Sequence, residues 1–223
     1  MPISIIIPVF NEAENISLCV SSAYQPAGVE IIVVDGGSSD CSREIAAGLG
    51  ARVISTGKSR AGQMNEGAGT AKGNILLFLH ADTVLPHGYA MEVRRILEDE
   101  SAAAGAFRLS IDAPGLSYRL LGAMANLRSR WFKMPYGDQA IFMRSETFSS
   151  IGGFPDLALM EDFELMRRIG KRGKVVLSRL QIRTSARRWK KLGIAKTTLL
   201  NQFIILAYLS GAAPEKLARL YGR

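Results

Sequence analysis

The chain has 223 residues, 48% of them apolar, with Gly and Pro scattered along its length. That supports one well-buried core and leaves little room for two independent domains. Its net charge of +8 is unevenly divided: residues 1–100 hold 7 Lys/Arg and 12 Asp/Glu, and residues 101–223 hold 21 and 8.

Residues 3–10 form an apolar run closed by Pro8, short enough for a strand. The Met-Pro start has no basic n-region, so no secretory signal is read and a cytoplasmic location is expected. Residues 12–22 follow as a helix with Leu18 and Cys19 inward. Residues 30–34 are a second strand, and Ser39 or Asp40 caps a helix running through Leu49. Cys19 and Cys41 lack partners at metal-ligand spacing and read as free buried thiols. Residues 52–55 read as a strand, 58–69 as the start of a helix and 75–79 as a fourth strand. A helix over 89–100 places Met91, Val93, Ile96 and Leu97 at apolar positions. Further on come a strand over 105–111, a helix over 116–132, a short strand over 140–143, a helix over 162–170 and an outer strand over 174–177. Strands alternate with helices, which predicts an α/β fold with a mostly parallel sheet.

No acid occurs between Glu164 and Glu215, so this basic stretch should attract phosphates or anionic lipid. Residues 197–209 are apolar almost all round, but shorter than the roughly 20 residues that span a bilayer. They read either as a helix lying in a membrane interface or as one docked on the domain. The division expected is a catalytic domain over 1–185 and a basic, helical extension over 186–223.

Two buried strands end in acidic residues, Asp35-Gly36-Gly37-Ser38-Ser39-Asp40 and His80-Ala81-Asp82. In an open α/β sheet that edge is where ligands bind. A carboxylate edge repels a bare phosphate and accepts one carried by a divalent cation, so a metal–nucleotide site is read here. Walker A, dinucleotide-fold and aspartyl-phosphate hydrolase motifs are absent.

The ordered motifs resemble family 2 glycosyltransferases of the GT-A fold, over most of residues 1–180. Ile7-Pro8-Val9-Phe10-Asn11-Glu12 resembles their opening strand and turn, and the Asp35 loop their nucleotide loop. The stretch from Gly57 to Gly67 resembles their basic turn and helix start, including Lys58, Arg60 and Asn65. His80-Ala81-Asp82 stands in place of their Asp-x-Asp, and Gly137-Asp138-Gln139 and Met160-Glu161-Asp162 resemble their acceptor-side motifs.

The resemblance implies a GT-A-like three-layer sandwich and an inverting transfer from a nucleotide-sugar, with a UDP-sugar as the expected donor. It places Pro8, Phe10, Glu12, Asp35 and Gly37 around the nucleoside, and Lys58 and Arg60 at phosphate oxygens. Gly36 and Gly37 let the backbone approach the base. Asp82 is the implied ligand of Mg2+ or Mn2+. His80 departs from the motif: an imidazole there can bind Mn2+, bond to phosphate or orient Asp82. Asp162 is the implied base, with Glu161 beside it and Asp138 shaping the acceptor pocket. Trp131, Phe132, Tyr136, Gly137 and Gln139 are candidates for the acceptor wall. Arg187-Arg188-Trp189 reads as a diphosphate clamp or a lipid-headgroup contact.

The expected acceptor is a glycan, a lipid or a small molecule, with an anionic membrane surface as a further partner. Location is then either free in the cytoplasm or peripheral on the cytoplasmic face of the cell envelope. Two rivals stand beside this reading: a metal-dependent nucleotidyltransferase and a non-enzymatic membrane- or RNA-binding protein. The chain lacks an aromatic reading surface for nucleic acid, so no nucleic-acid partner is expected.

Overall fold

The computed structural model describes residues 1–25 and 28–222. Strands β1 (Ile3–Val9), β2 (Val29–Asp35), β3 (Arg52–Ser55) and β4 (Ile75–Phe78) pair in parallel in the order β3-β2-β1-β4. Beyond β4 the direction changes. β7 (Phe142–Arg144) runs antiparallel to β4, and β6 (Ala102–Asp112) antiparallel to β7. β8 (Lys174–Ser185) then lies parallel to β6, and β5 (Thr83–Val84) is the antiparallel edge. The sheet is therefore mixed, which corrects the mostly parallel expectation. Helical crossovers give parallel pairing among the first four strands and between β6 and β8, whereas β7 and β5 pair antiparallel with their neighbours.

The helices are α1 (Ile16–Ala23), α2 (Ser42–Gly48), α3 (Arg60–Thr70), α4 (Tyr89–Glu98), α5 (Leu116–Phe132), α6 (Ser145–Ser150), α7 (Glu161–Ile169), α8 (Arg187–Leu192), α9 (Ile194–Leu209) and α10 (Pro214–Tyr221). They cover both faces of the sheet, which explains the unbroken apolar runs in β1 and β2. Ile5, Ile7 and Val33 pack on one face with Cys19 and Val20 of α1 and Val93 and Ile96 of α4. Ile6, Ile32 and Val34 point the other way, onto Met64 of α3 and Leu165 and Met166 of α7. Ile6→Ala in this packing costs about 2–5 kcal/mol.

Several local expectations change. Leu18 is exposed because α1 buries the stripe Ile16, Cys19, Val20 and Ala23. Met91 is likewise exposed, while α4 buries Tyr89, Ala90, Val93, Ile96 and Leu97. Cys41 is exposed at the start of α2, so only Cys19 is a buried thiol. β8 extends far beyond residue 177 and lies inside the sheet, between β6 and β5. Its buried residues Ser178, Ile182 and Thr184 are separated by the exposed Arg179 and Arg183, so a strand looks like part of a basic block.

The C-terminal helices pack on the loop before α7. Leu159, Ile204, Leu217 and Ala218 are buried together, and Tyr208 meets Phe163 edge-on at 5.9 Å. α9 is thus docked by one face, while Leu199, Phe203, Leu206 and Leu209 remain exposed. Among the described residues, no helix is long and apolar enough to cross a membrane.

Candidate active site

β1 and β2 end side by side, so their following loops are neighbours. Asp35, the last residue of β2, is fully buried, and its carboxylate accepts from Gly37 N–H at 3.0 Å and Ser38 N–H at 3.1 Å. It shapes its own loop, leaving Gly37 and Ser39 at the surface. Asn11, at φ +54, stitches the two loops together. Its N–H donates to Ser38 Oγ at 2.9 Å, and its Oδ1 accepts from Ser39 N–H at 2.8 Å. Asp40 accepts from Ser42 Oγ and from Ala13 N–H, bonds that hold its carboxyl below the usual range.

Gly36 serves packing: a Cβ there would lie 2.2 Å from Gln63 Nε2 of α3. Pro8 is half-buried in β1 and Phe10 is exposed at the mouth of the loops.

The centre of the site is Arg60, the first residue of α3. Ser59 caps that helix, its Oγ accepting from Gly62 N–H at 3.2 Å. Arg60 Nη2 lies 3.3 Å from Asp162 Oδ2 and its Nε lies 3.7 Å from Glu161 Oε1. The same guanidinium contacts His80 Nε2. Burial works against its charge, but Asp162, Glu161, Asp82 and Asp138 outweigh that and raise its pKa.

Asp162 and Glu161 occupy the first turn of α7. Asp162 Oδ2 also accepts from Gly137 N–H at 3.2 Å. A Cβ on Gly137 would lie 2.2 Å from that oxygen and 2.7 Å from His80 Nε2, so only glycine fits this approach.

Burial and the nearby Glu12 raise the Asp82 carboxyl, while Arg187 and Arg60 pull it down. Glu12 Oε1 accepts from Arg187 Nη2 at 2.5 Å. Arg187 therefore reaches back over the loop after β1. Arg188 turns elsewhere: it stacks 3.5 Å over the Tyr221 ring and donates to Tyr221 O at 3.1 Å. Arg188 thus links α8 to α10, while Arg187 faces Glu12.

Lys58 pairs with Glu66 at the surface. Asn65 bonds the backbone of Phe154 in both directions, at 2.8 and 2.9 Å, and so ties α3 to the loop before α7. Ala81 is buried in the core. Gln139 is fully buried; it accepts from Ser129 Oγ at 2.5 Å and donates to Phe107 O at 3.0 Å, bracing the turn. Burial raises the Asp138 carboxyl, and its buried Oδ1 has no hydrogen-bond partner among the described residues. Tyr136 lies under Arg128, whose guanidinium is 3.6 Å from the ring centroid. Trp131 and Phe132 are each 74% exposed, so core packing does not account for them.

Among the described residues, no three His, Cys, Asp or Glu side chains converge on a metal position. His80 faces Arg60 and Glu12 faces Arg187. Asp82 offers a hard carboxylate of the kind Mg2+ or Mn2+ accepts, and His80 beside it contacts Arg60.

The glycosyl transferase family 2 model matches residues 4–163, from β1 into α7. The chain belongs to glycosyl transferase family 2. A PGL/p-HBAD biosynthesis glycosyltransferase of Mycobacterium tuberculosis is 33% identical over 160 residues, covering 68% of this chain and 62% of that protein. The probable glycosyltransferase YdaM of Bacillus subtilis is 29% identical over 194 residues, 75% of this chain and 46% of its own length. The family 2 chain thus spans less than two thirds of either relative. Among solved structures, residues 1–349 of S. aureus TarS share the fold, with a TM-score of 0.66 at 16% identity over 83% of this chain and 61% of that one.

Sequence reading of this family 2 chain missed Asn11, Gln63 and Arg128. Only Asn11, in the turn after β1, carried a local signal, since Asn tolerates positive φ. Gln63 and Arg128 act across elements, where no spacing rule applies.

Proposed function

We propose that the protein transfers a sugar from a UDP-sugar to an acceptor hydroxyl, with inversion at the sugar C1. The observation that carries this is Asp162, held by Gly137 N–H and Arg60 within one cluster with His80 and Asp82 at the end of β4. Family 2 membership supports the reaction class. The related TarS fragment has been crystallised with UDP and with UDP-GlcNAc, which supports a uridine nucleotide.

In this reading the acceptor oxygen attacks C1 from the face opposite the diphosphate. Asp162 takes the hydroxyl proton as the new C–O bond forms. The bond from C1 to the diphosphate oxygen breaks, and UDP leaves with that electron pair. Arg60 meets the charge growing on the diphosphate. A divalent cation, held through Asp82 and the diphosphate, would supply further charge neutralisation. Asp35, Asn11 and Ser38 fix the loops around the base, and Arg187 braces Glu12 beside them.

The acceptor side lies towards Gly137, Asp138 and Tyr136. The Mycobacterium relatives are described as PGL/p-HBAD biosynthesis enzymes. A glycan or lipid acceptor at a cytoplasmic membrane face agrees with the exposed apolar face of α9 and the neighbouring Lys190, Lys191 and Lys196. The test is product analysis with a panel of UDP-sugars and lipid or glycan acceptors. Release of UDP with a new glycoside is expected; release of pyrophosphate would overturn the reading in favour of nucleotidyl transfer.

A further inference from the structure

Helix α5 is built the wrong way round for a helix packed on a sheet. The side it buries carries Gly122 and Ser129, with Ala125 and Asn126 only partly exposed. Asn126 fastens that side to β6, accepting from Leu109 N–H at 2.7 Å and donating to Leu109 O at 3.0 Å. The large apolar residues face solvent instead. Leu116, Leu120, Met124, Leu127 and Trp131 are between 53% and 78% exposed, and Phe132 continues them. At 3.6 residues per turn the first five fall within about 80° of the helix circumference. They make one continuous stripe, and a cleft of about 340 Å³ lies along its C-terminal half.

The charge beside the stripe decides what covers it. Arg119, Arg130 and Lys133 are exposed, and no acid lies between Asp112 and Asp138. Two copies meeting through α5 would bring these cations together with no acid from the same segment to offset them. An anionic surface with an apolar interior matches both features: the cations meet headgroups and the stripe enters the acyl boundary. The aromatic pair at the C-terminal end suits the level of the headgroups.

We infer that α5 is a membrane-contacting surface, lying on an anionic bilayer through the Leu116 to Trp131 stripe. It is separate from α9 and does not depend on the sugar-transfer reading. Its position does suit that reading, because the segment after α5 leads within a few residues to Gly137, which touches Asp162.

The experiment uses the full chain carrying Trp189→Phe, so that Trp131 is its one tryptophan. It is titrated with phosphatidylcholine vesicles, with and without phosphatidylglycerol. A blue shift of Trp131 emission is expected with the anionic vesicles and should weaken with salt. Leu120→Ser with Leu127→Ser should reduce vesicle affinity at least about tenfold. Both side chains are exposed, so the thermal midpoint and UDP affinity of this variant report whether it is still folded. Phe203→Ser with Leu206→Ser in α9 should leave the Trp131 shift in place. An unchanged Trp131 spectrum would overturn the inference, as would wild-type vesicle affinity in the folded α5 variant. A dimer in sedimentation velocity that the α5 variant dissolves would assign the stripe to a second copy.

Discussion

The backbone N–H of Gly137 donates to Asp162 Oδ2 at 3.2 Å, with no space for a side chain between them. One contact thereby fixes the carboxylate of α7 from the turn that follows α5. Gly137→Ala must displace Asp162, His80 or the turn itself. A displacement near 1 Å at a reacting group can cost about 100-fold in rate. The variant should lose about that much in kcat and keep near-normal UDP-sugar affinity, measured by single-turnover kinetics beside calorimetry.

Asp162→Asn keeps the shape and removes the proposed base. A general base contributes about 10²–10⁴-fold. The loss should appear in kcat with little change in donor Kd. Lost donor binding with normal chemistry would move Asp162 into the nucleotide pocket and leave Glu161 as the acid to test next.

Arg60→Lys should not behave as a conservative change. A guanidinium meets Asp162, Glu161 and His80 at once, and an ammonium lacks that planar fork. Losing one charge-assisted bond worth about 1.5–3 kcal/mol should lower kcat/KM about 10- to 160-fold. Wild-type kcat/KM in Arg60→Lys would remove Arg60 from the centre of the site.

Asp138 gives a pH-dependent stability test. Burial raises its carboxyl in the folded state above the unfolded value. The folded state therefore favours the protonated form, and stability is lost as pH rises through the folded pKa. Asp138→Asn cannot ionise. Its thermal midpoint should match wild type below about pH 4 and exceed it near neutrality by about 2–4 °C per kcal/mol. A gap that closes as pH rises would contradict this assignment.

Arg187 is one of two cations that pull the Asp82 carboxyl down against burial and Glu12. Arg187→Gln should leave Asp82 protonated to higher pH. The acid limb of UDP-sugar binding measured with Mn2+ present should then move upward in pH; an unmoved limb would separate Arg187 from Asp82.

Much of this arrangement is legible in the chain, and the gaps have physical causes. Ile5, Ile6 and Ile7 announce a strand covered on both faces, and β1, β2 and β4 follow from such runs. The two-residue β5 carries too little pattern to show, and the short β7, legible as a strand, gives no sign of its direction, so the change of strand direction was hidden. Asp35, Asp82 and Asp162 were legible because the ends of regular elements deliver them. Glu12 and Arg187 stand 175 residues apart, and no local rule joins them. Gln139 looked free to meet an acceptor because its partners, Ser129 and Phe107, come from α5 and β6.

The proposed function places a uridine nucleotide-sugar at the loops shaped by Asp35. Calorimetric titration of the full chain with UDP, a UDP-sugar, ATP, GTP and NAD tests it directly, alongside Asp35→Ala. UDP or the UDP-sugar should bind at least about tenfold more tightly than the other nucleotides, a difference of about 1.4 kcal/mol. That preference should fall away in Asp35→Ala, where the loop loses the carboxylate that organises it. Tighter binding of an adenine nucleotide, or unchanged UDP affinity in Asp35→Ala, would contradict the account.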